Sequence, residues 1–276
     1  KHIQTERIKL LMNIIVLIKE VPDMQMVKFD RERGVVNRAS ASAEINPFDL
    51  NALQAGLEIK KQTNGTMTVI TMGPKTAEKS LRDAYARGAD HVILLSDRKF
   101  GGADTLATSF TLSCGVRKSG DFDLIICGEK TVDGDTAQVG PEVAEALGIP
   151  HACYVDEVKE ISKGAISVNV SEIAGRQQLK TLALPALICV TKNVSTPKLP
   201  TVDRKLESLD IEVEVLDYGM MSDVMTEDQI GGNGSPTKVR KIELQEKPER
   251  SGITFKEDLP GFMNAFVRKM EELGIE

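Results

Sequence analysis

Basic residues are in the minority in this chain: 35 Lys and Arg against 41 Asp and Glu give a formal net charge of -6. Binding a polyanion needs a concentrated basic face, so this balance argues against a nucleic-acid partner. No apolar run is long enough to span a bilayer, which argues against membrane insertion. Cysteines are few. Cys114, Cys127, Cys153 and Cys189 lie far apart in sequence with no C-x-x-C pair, and two of them sit inside apolar strand-like runs. They read as buried free thiols of a reducing, cytoplasmic setting rather than as disulfides or metal ligands. The G-x-x-x-x-G-K-[ST] loop is missing and no G-x-G-x-x-G follows a strand, so neither NTP hydrolysis nor ordinary Rossmann dinucleotide binding is indicated.

What is present is a soluble globular composition: 276 residues, 41% hydrophobic and 28% charged, enough for one large core and a small second lobe. Residues 1–11 precede the first convincing strand, Asn13–Lys19, carry charge without a signal-peptide pattern, and read as an upstream extension. Strand and helix patterns then alternate. Strand Thr66–Met72 ends at Gly73-Pro74, and Ala77, Leu81 and Ala84 repeat at helical spacing. Strand His91–Ser96, a helix from Asp104 towards Val116, and a strand ending at Gly128 follow. Such alternation predicts a doubly wound, mostly parallel α/β sheet of Rossmann-like type, with its ligand crevice beyond the carboxyl ends of the strands.

The most informative stretch is Phe122–Gly128, followed by Glu129, Lys130, Thr131, Val132, Asp133, Gly134, Asp135, Thr136, Ala137, Gln138, Val139, Gly140 and then Pro141, which stands where the first helical position is expected. Unpaired N–H groups of such a loop and of the first helical turn, together with the macrodipole, hold a pyrophosphate with little help from Lys or Arg. Thr136 and Gln138 add donors, and Gly134 and Gly140 let the backbone approach a ligand. Asp133 and Asp135 would repel phosphate, so their roles are to fold the loop or to reach a ribose hydroxyl. A polar turn with nothing bound is the other reading, because helix starts rich in Asp, Thr and Gly are common.

After about Pro150 the pattern changes. Residues 152–161, 166–173 and 179–191 read as strands of a meander, 193–200 as a Pro-rich loop, and Ile230–Pro236 as a hinge or turn. The stretch Leu259–Leu273 places Phe262, Met263, Phe266, Val267, Met270 and Leu273 on one helical stripe. These patterns divide the chain into an extension (1–11), a nucleotide-binding α/β domain (12–192), and a docking loop with a C-terminal arm (193–276) whose helix covers either a partner or its own sheet.

Val16–Asp23, Asn46–Asp49, Thr71–Pro74, Gly128–Gly140, Leu184–Ala186, Lys198–Pro200 and the last helix occur in the order and spacing of the small (beta) subunit of electron transfer flavoproteins, which the chain resembles from Met12 onward. One departure is Glu172–Arg176, where the family usually carries an acid, two glycines and an acid. The resemblance implies a heterodimer with a large (alpha) subunit that binds FAD in a mobile domain. It also implies an adenine nucleotide held here by Leu17, Asn46, Pro47, Phe48, Asp49, Met72 and the 129–140 loop. Read alone, Asn46–Asp49 is a turn in which Asp49 caps a helix over 50–60.

In ordinary members the nucleotide is structural AMP and single electrons pass from dehydrogenases to an acceptor. In the bifurcating group it is a second FAD, reduced by NADH, whose electron pair is split between ferredoxin or flavodoxin and a dehydrogenase. Ser96–Ser109 resembles the latter group: Gly101, Gly102, Ala103 and Ala107 leave room for a flavin, while Asp104, Thr105 and Thr108 can bond it. A glycine turn with Asp104 as helix cap is the plainer alternative. The flavin would carry the electron chemistry, so neither catalytic residues nor a metal site is expected. A non-redox nucleotide sensor and a purely bracing subunit are the rival classes. The resemblance also implies that Leu199, in Lys198-Leu-Pro200, docks into an apolar pocket of the dehydrogenase.

Overall fold

A computed structural model describes residues 10–23, 28–30, 35–37, 42–171, 175–238, 252 and 254–275. Most of the upstream extension and residues 172–174 of the departing turn lie outside the described residues. The chain divides into two compact units, Lys1–Lys241 and Ile242–Glu276.

Strand β1 (Asn13–Leu17) is buried on both faces, so its pattern is a continuous apolar run rather than an alternation. Short strands β2 (Glu20–Pro22), β3 (Lys28–Asp30), β4 (Val35–Asn37) and β5 (Ala43–Ile45) form two ribbons, β2 with β5 and β3 with β4. Helix α1 (Pro47–Thr63) leads to β6 (Thr66–Met72), α2 (Glu78–Ala86), β7 (His91–Leu95), α3 (Thr105–Lys118), β8 (Leu124–Gly128) and α4 (Val139–Leu147). Strands β9 (His151–Ser162), β10 (Ala165–Ser171), β11 (Gln177–Ala183) and β12 (Ala186–Val190) precede α5 (Val202–Asp210), β13 (Glu214–Leu216) and α6 (Tyr218–Met221). The second unit contains α7 (Leu259–Glu272).

One nine-stranded sheet runs β11-β10-β9-β12-β8-β1-β6-β7-β13. Every neighbour pair from β9 to β13 in that order is parallel, whereas β10 is antiparallel to both β9 and β11. Side chains alternate across it. Ile14, Val16, Met67, Val69, Leu124 and Ile126 join one core layer, and Ile15, Leu17, Ile70, Leu95, Ile125 and Cys127 join the other. Helix α1 packs beside β1 and β8, α2 beside β7, α3 beside β6 and α4 beside β12. This is the expected doubly wound α/β architecture.

Several expectations change in detail. Residues 179–191 form two strands, because Pro185 has no N–H to give a ladder. The second, β12, belongs to the parallel core between β8 and β9 and not to the meander. The arm expected from residue 193 begins later: β13 extends the sheet beyond β7, α5 packs on α2, and α6 packs on α3. Of the two readings of Ile230–Pro236 the turn holds, since Gly234 N–H bonds the Ile230 carbonyl, Ile230 is buried and Gly232 N–H bonds the Gly101 carbonyl. Helix α7 is amphipathic as read, and leaves Phe262, Met263, Phe266 and Val267 exposed. Phe262 stacks with Phe266 at 5.9 Å.

Candidate functional site

The chain moves outward from β1 through β6 to β7, then returns to β8 on the other side of β1. Where strand order reverses, loops diverge and leave a crevice at the carboxyl edge. At that edge stand the ends of β1, β6 and β8, at Leu17, Met72 and Gly128. Leu17 is buried in the core, so only its backbone borders the crevice, while Met72 is half-buried.

The first turn of α1 ties these ends together. Asn46, fully buried, occupies the N-cap position but makes no side-chain cap. Its amide instead donates to the Lys130 carbonyl at 2.9 Å and accepts from Val132 N–H at 3.1 Å, pairing both its donor and acceptor sides with one loop. Asp49 is therefore not the cap expected of it. It lies inside the helix, where its carboxylate accepts from Lys19 N–H at 2.8 Å and Gly128 N–H at 3.0 Å, joining β1 to β8. Burial raises its pKa to about 7 against the opposing pull of those hydrogen bonds. Gly128 is obligatory here, because a Cβ would lie 2.5 Å from Asp49 Oδ1 and 2.7 Å from Phe48 Cβ. Pro47 starts α1 and is exposed, and Phe48 is half-exposed with Lys130 Nζ 6.0 Å above its ring.

The 129–138 loop is held from its base. Lys19 Nζ bonds both oxygens of Asp133 at 2.8 Å, Lys130 Nζ pairs with Asp135 at 2.7 Å, and Asp135 N–H bonds the Thr131 carbonyl at 2.9 Å. Both aspartates thus fold the loop, and both lysines are charge-compensated within it. Burial raises the Glu129 pKa, with Asp156 and Asp135 adding to the effect. Asp135 and Ala137 have φ of 53° and 55°, a left-handed conformation that non-glycine residues adopt rarely and mostly at functional turns. Val132, Gly134, Thr136 and Gln138 are exposed.

Helix α4 begins at Val139, two residues before Pro141, and Gln138 provides no side-chain cap. An uncapped, dipole-bearing start beside small exposed residues fits an anionic group. Gly140 has another duty than the expected ligand approach. It is buried, and a Cβ there would stand 2.4 Å from Cys189 Sγ and 2.9 Å from Cys127 Sγ, so it allows α4 to sit on the sheet. Gly134 remains on the open side, where a Cβ would meet Thr131 Oγ1 at 3.3 Å.

The 98–108 turn adjoins this loop through Thr105, whose hydroxyl lies 3.1 Å from Gln138 Oε1 and 3.2 Å from Glu142 Oε1. Asp104 and Ala107, expected beside a flavin, are engaged within the chain. Asp104 Oδ1 caps α3 by accepting from Ala107 N–H at 3.1 Å, and Oδ2 accepts from Thr237 N–H at 3.0 Å and Thr237 Oγ1 at 2.8 Å. Those bonds hold its pKa below the usual value despite some desolvation. Ala107 is buried, so it offers no open wall. Thr108 is half-buried, and Gly101 and Gly102 stay exposed beside Gly232.

Residues 192–200 form a second feature. Asn51 Nδ2 bonds the Lys192 and Ser195 carbonyls at 3.3 and 2.7 Å, Gln54 Oε1 accepts from Lys198 N–H at 3.2 Å, and Arg87 bonds the Lys198 carbonyl at 3.0 Å. Leu199 then projects with 88% of its surface exposed. Sequence reasoning missed Lys19, Asn51, Gln54 and Arg87, and the clamp role of Asn46. The available signal was polar residues at positions 46, 51 and 54, on and beside the buried face of α1.

The electron transfer flavoprotein domain family matches residues 33–217. The chain is 39% identical over 237 residues to the electron transfer flavoprotein subunit beta of Clostridium acetobutylicum, covering 85% of this chain and 89% of that one. It is 38% identical to the caffeyl-CoA reductase-Etf complex subunit CarD of Acetobacterium woodii (83% and 86% covered) and 38% identical to the acryloyl-CoA reductase electron transfer subunit gamma of Anaerotignum propionicum (83% and 87% covered). With its doubly wound sheet and its crevice at the reversal of strand order, the chain belongs to the electron transfer flavoproteins, as a beta subunit.

Proposed function

We propose that this subunit holds FAD in the crevice between the ends of β1 and β8, accepts electrons from NADH there, and takes part in electron bifurcation with the FAD of a large subunit. The carrying observation is the Asn46 clamp on residues 130–132 beside the uncapped start of α4, a preformed cradle whose fixed N–H groups suit a pyrophosphate. The flavin supplies the redox chemistry when bound. The chain's own residues would orient it: Asn46 fixes the loop, Asp49 ties Gly128 at its base to Lys19, Thr136 and Gln138 offer exposed polar groups, and Gly101 and Gly102 keep exposed backbone beside Thr105. Relatives named as subunits of a caffeyl-CoA reductase complex and of an acryloyl-CoA reductase support electron transfer within a reductase complex; in this reading the partner is a flavin-dependent dehydrogenase and the low-potential acceptor is ferredoxin or flavodoxin.

In this reading the protein works in the cytoplasm. Leu199 anchors the dehydrogenase, and the second unit with α7 lies on the large subunit. A second reading, structural AMP in the same cradle, is favoured by Asp104, whose two oxygens are already bonded within the chain to Ala107 and Thr237. Counting nucleotides in the purified heterodimer separates the two. Two FAD per heterodimer, with NADH-dependent ferredoxin reduction, support bifurcation; one FAD and one AMP would replace it with the second reading. Neither nucleotide in this subunit would overturn both.

A further inference from the structure

Three of the four cysteines, distant in sequence, meet on one face of the sheet. Cys189 Sγ is 3.6 Å from Cys127 Sγ and 3.7 Å from Cys153 Sγ. They come from the adjacent strands β8, β12 and β9. Cys127 and Cys189 are direct register partners, but the β9–β12 register slips between Ile188 and Val190, and Tyr154 has φ of 57°. The ladder is therefore irregular beside Cys153, and such a bulge re-aims a side chain and loosens the pairing around it.

The three thiols differ in access. Cys189 is 1% exposed and Cys127 8%, whereas Cys153 is half-buried. Their acidities separate the same way. The hydrogen bond between Cys153 and Cys189 lowers the Cys153 pKa, while the contacts of Cys189 with Cys127 and Cys153, together with burial, push Cys189 well up. A thiol that is both accessible and more acidic is the nucleophile, and Cys189, 3.7 Å away, is within reach to resolve it as its proton passes to the departing oxygen. Among the described residues, no group of three His, Cys, Asp or Glu could hold a metal ion, so the cluster is not read as a metal site.

We propose that Cys153 and Cys189 form a peroxide-reactive thiol pair beneath the nucleotide loop. The Cys153 thiolate attacks one oxygen of a hydroperoxide and the O–O bond breaks. Two electrons pass from sulfur to oxygen, and the departing alkoxide or hydroxide takes a proton from solvent, leaving Cys153 as a sulfenic acid. Cys189 sulfur then attacks Cys153 sulfur, the S–O bond breaks, and the Cys189 proton leaves with the hydroxide as water. The disulfide that forms is reversed by a thiol reductant. An S–S bond of about 2.05 Å draws Cys189 Sγ away from its contacts with Cys127 and the first turn of α4 at Gly140. Oxidation then loosens the 129–140 loop, a consequence that rests on the nucleotide reading above.

Hydrogen peroxide titration of the purified heterodimer, followed by alkylation of free thiols and non-reducing peptide mass mapping, tests the pair. A Cys153–Cys189 linked peptide is expected, removed by dithiothreitol, absent in Cys153→Ser and retained in Cys127→Ala. In Cys189→Ala, Cys153 is expected to persist as a dimedone-reactive sulfenic acid; should that variant not fold, the wild-type map alone decides. An unmodified Cys153, or a link formed only through Cys127, would overturn the pair. Release of bound nucleotide in step with the disulfide supports the coupling, and an unchanged nucleotide content in the oxidised protein would overturn that coupling alone. Reduced heterodimer that carries no nucleotide in this subunit would count against the proposed function while leaving the thiol map to stand or fall independently.

Discussion

Two strand-to-helix turns at the same sheet edge look alike in composition and differ in what they leave open. Before α3, residues 98–104 carry paired glycines and an aspartate; before α4, residues 129–138 carry one glycine and two aspartates. The first is closed by its own chain: Asp104 caps α3, Ser235 Oγ accepts from Asp104 N–H at 2.8 Å, and Gly231 packs so tightly that a Cβ would lie 1.9 Å from the Lys99 carbonyl. The second is fixed at its base by Asn46 and Lys19, and Thr136 and Gln138 stay exposed ahead of an α4 start that has no side-chain cap. A helix start whose donors are already paired is structural, whereas one that is rigid yet unpaired is ready for a ligand. Small residues alone do not distinguish them.

The sharpest test of the second turn is a variant that should not report on ligand approach at all. Gly140→Val forces a branched side chain into Cys189 and Cys127, and its overpacking is expected to cost about 1–3 kcal/mol or more. A denaturant melt reads that loss; unchanged stability would return Gly140 to the ligand side. Asn46→Ala leaves the Lys130 carbonyl and Val132 N–H without their clamp, at about 1–3 kcal/mol for buried groups left unpaired. Nucleotide loss should accompany it, and full retention of nucleotide would break the contrast between the turns.

The Asp49 carboxyl sharpens the same region through pH. Its folded pKa, about 7, lies above the ordinary 3.8, so its contribution to stability is complete below about pH 4 and is lost as pH rises through 7. Urea melts of the wild type and Asp49→Asn should therefore converge or cross as pH rises from 4 to 8. Parallel curves would show that the group does not titrate in that window. At the closed turn, Asp104→Ala removes a cap and the tie to Thr237, costing about 1 kcal/mol with nucleotide content unchanged. If nucleotide is lost as well, that turn belongs to the binding site after all.

Leu199→Ala should have the smallest effect on folding, within about 0.5 kcal/mol, because 88% of the residue stays exposed among the described residues. Weaker capture of the dehydrogenase by the heterodimer, measured by titration calorimetry, is the outcome that supports docking. The loop leading into it is pinned as far as Lys198 by Asn51, Gln54 and Arg87, which lowers the ordering entropy that opposes binding. Unaltered affinity would remove Leu199 from the interface.

The parallel core was legible because its signal is local. Runs such as Ile14–Leu17 and Leu124–Cys127, separated by helical spacing, require burial on both faces, and short connections then require a doubly wound sheet. The 129–140 loop was legible for the same reason, as a small polar turn between an apolar strand and a helix. Features that depend on distant residues were not. Asn46 had the sequence of a turn residue ahead of a helix, yet its amide closes on a loop 84 and 86 residues away. Asp104 had the look of a ligand contact until Thr237, 133 residues on, occupied it. Gly140 and Gly134 were alike as glycines, and only packing against Cys189 separated them. Sequence by itself determined which segments must be buried and which turns must be small and polar, because periodicity and backbone sterics act between neighbours. Tertiary structure decided which polar groups are already satisfied and which thiols touch, because hydrogen bonds and sulfur contacts act over a few ångströms and are made only when remote strands are brought side by side.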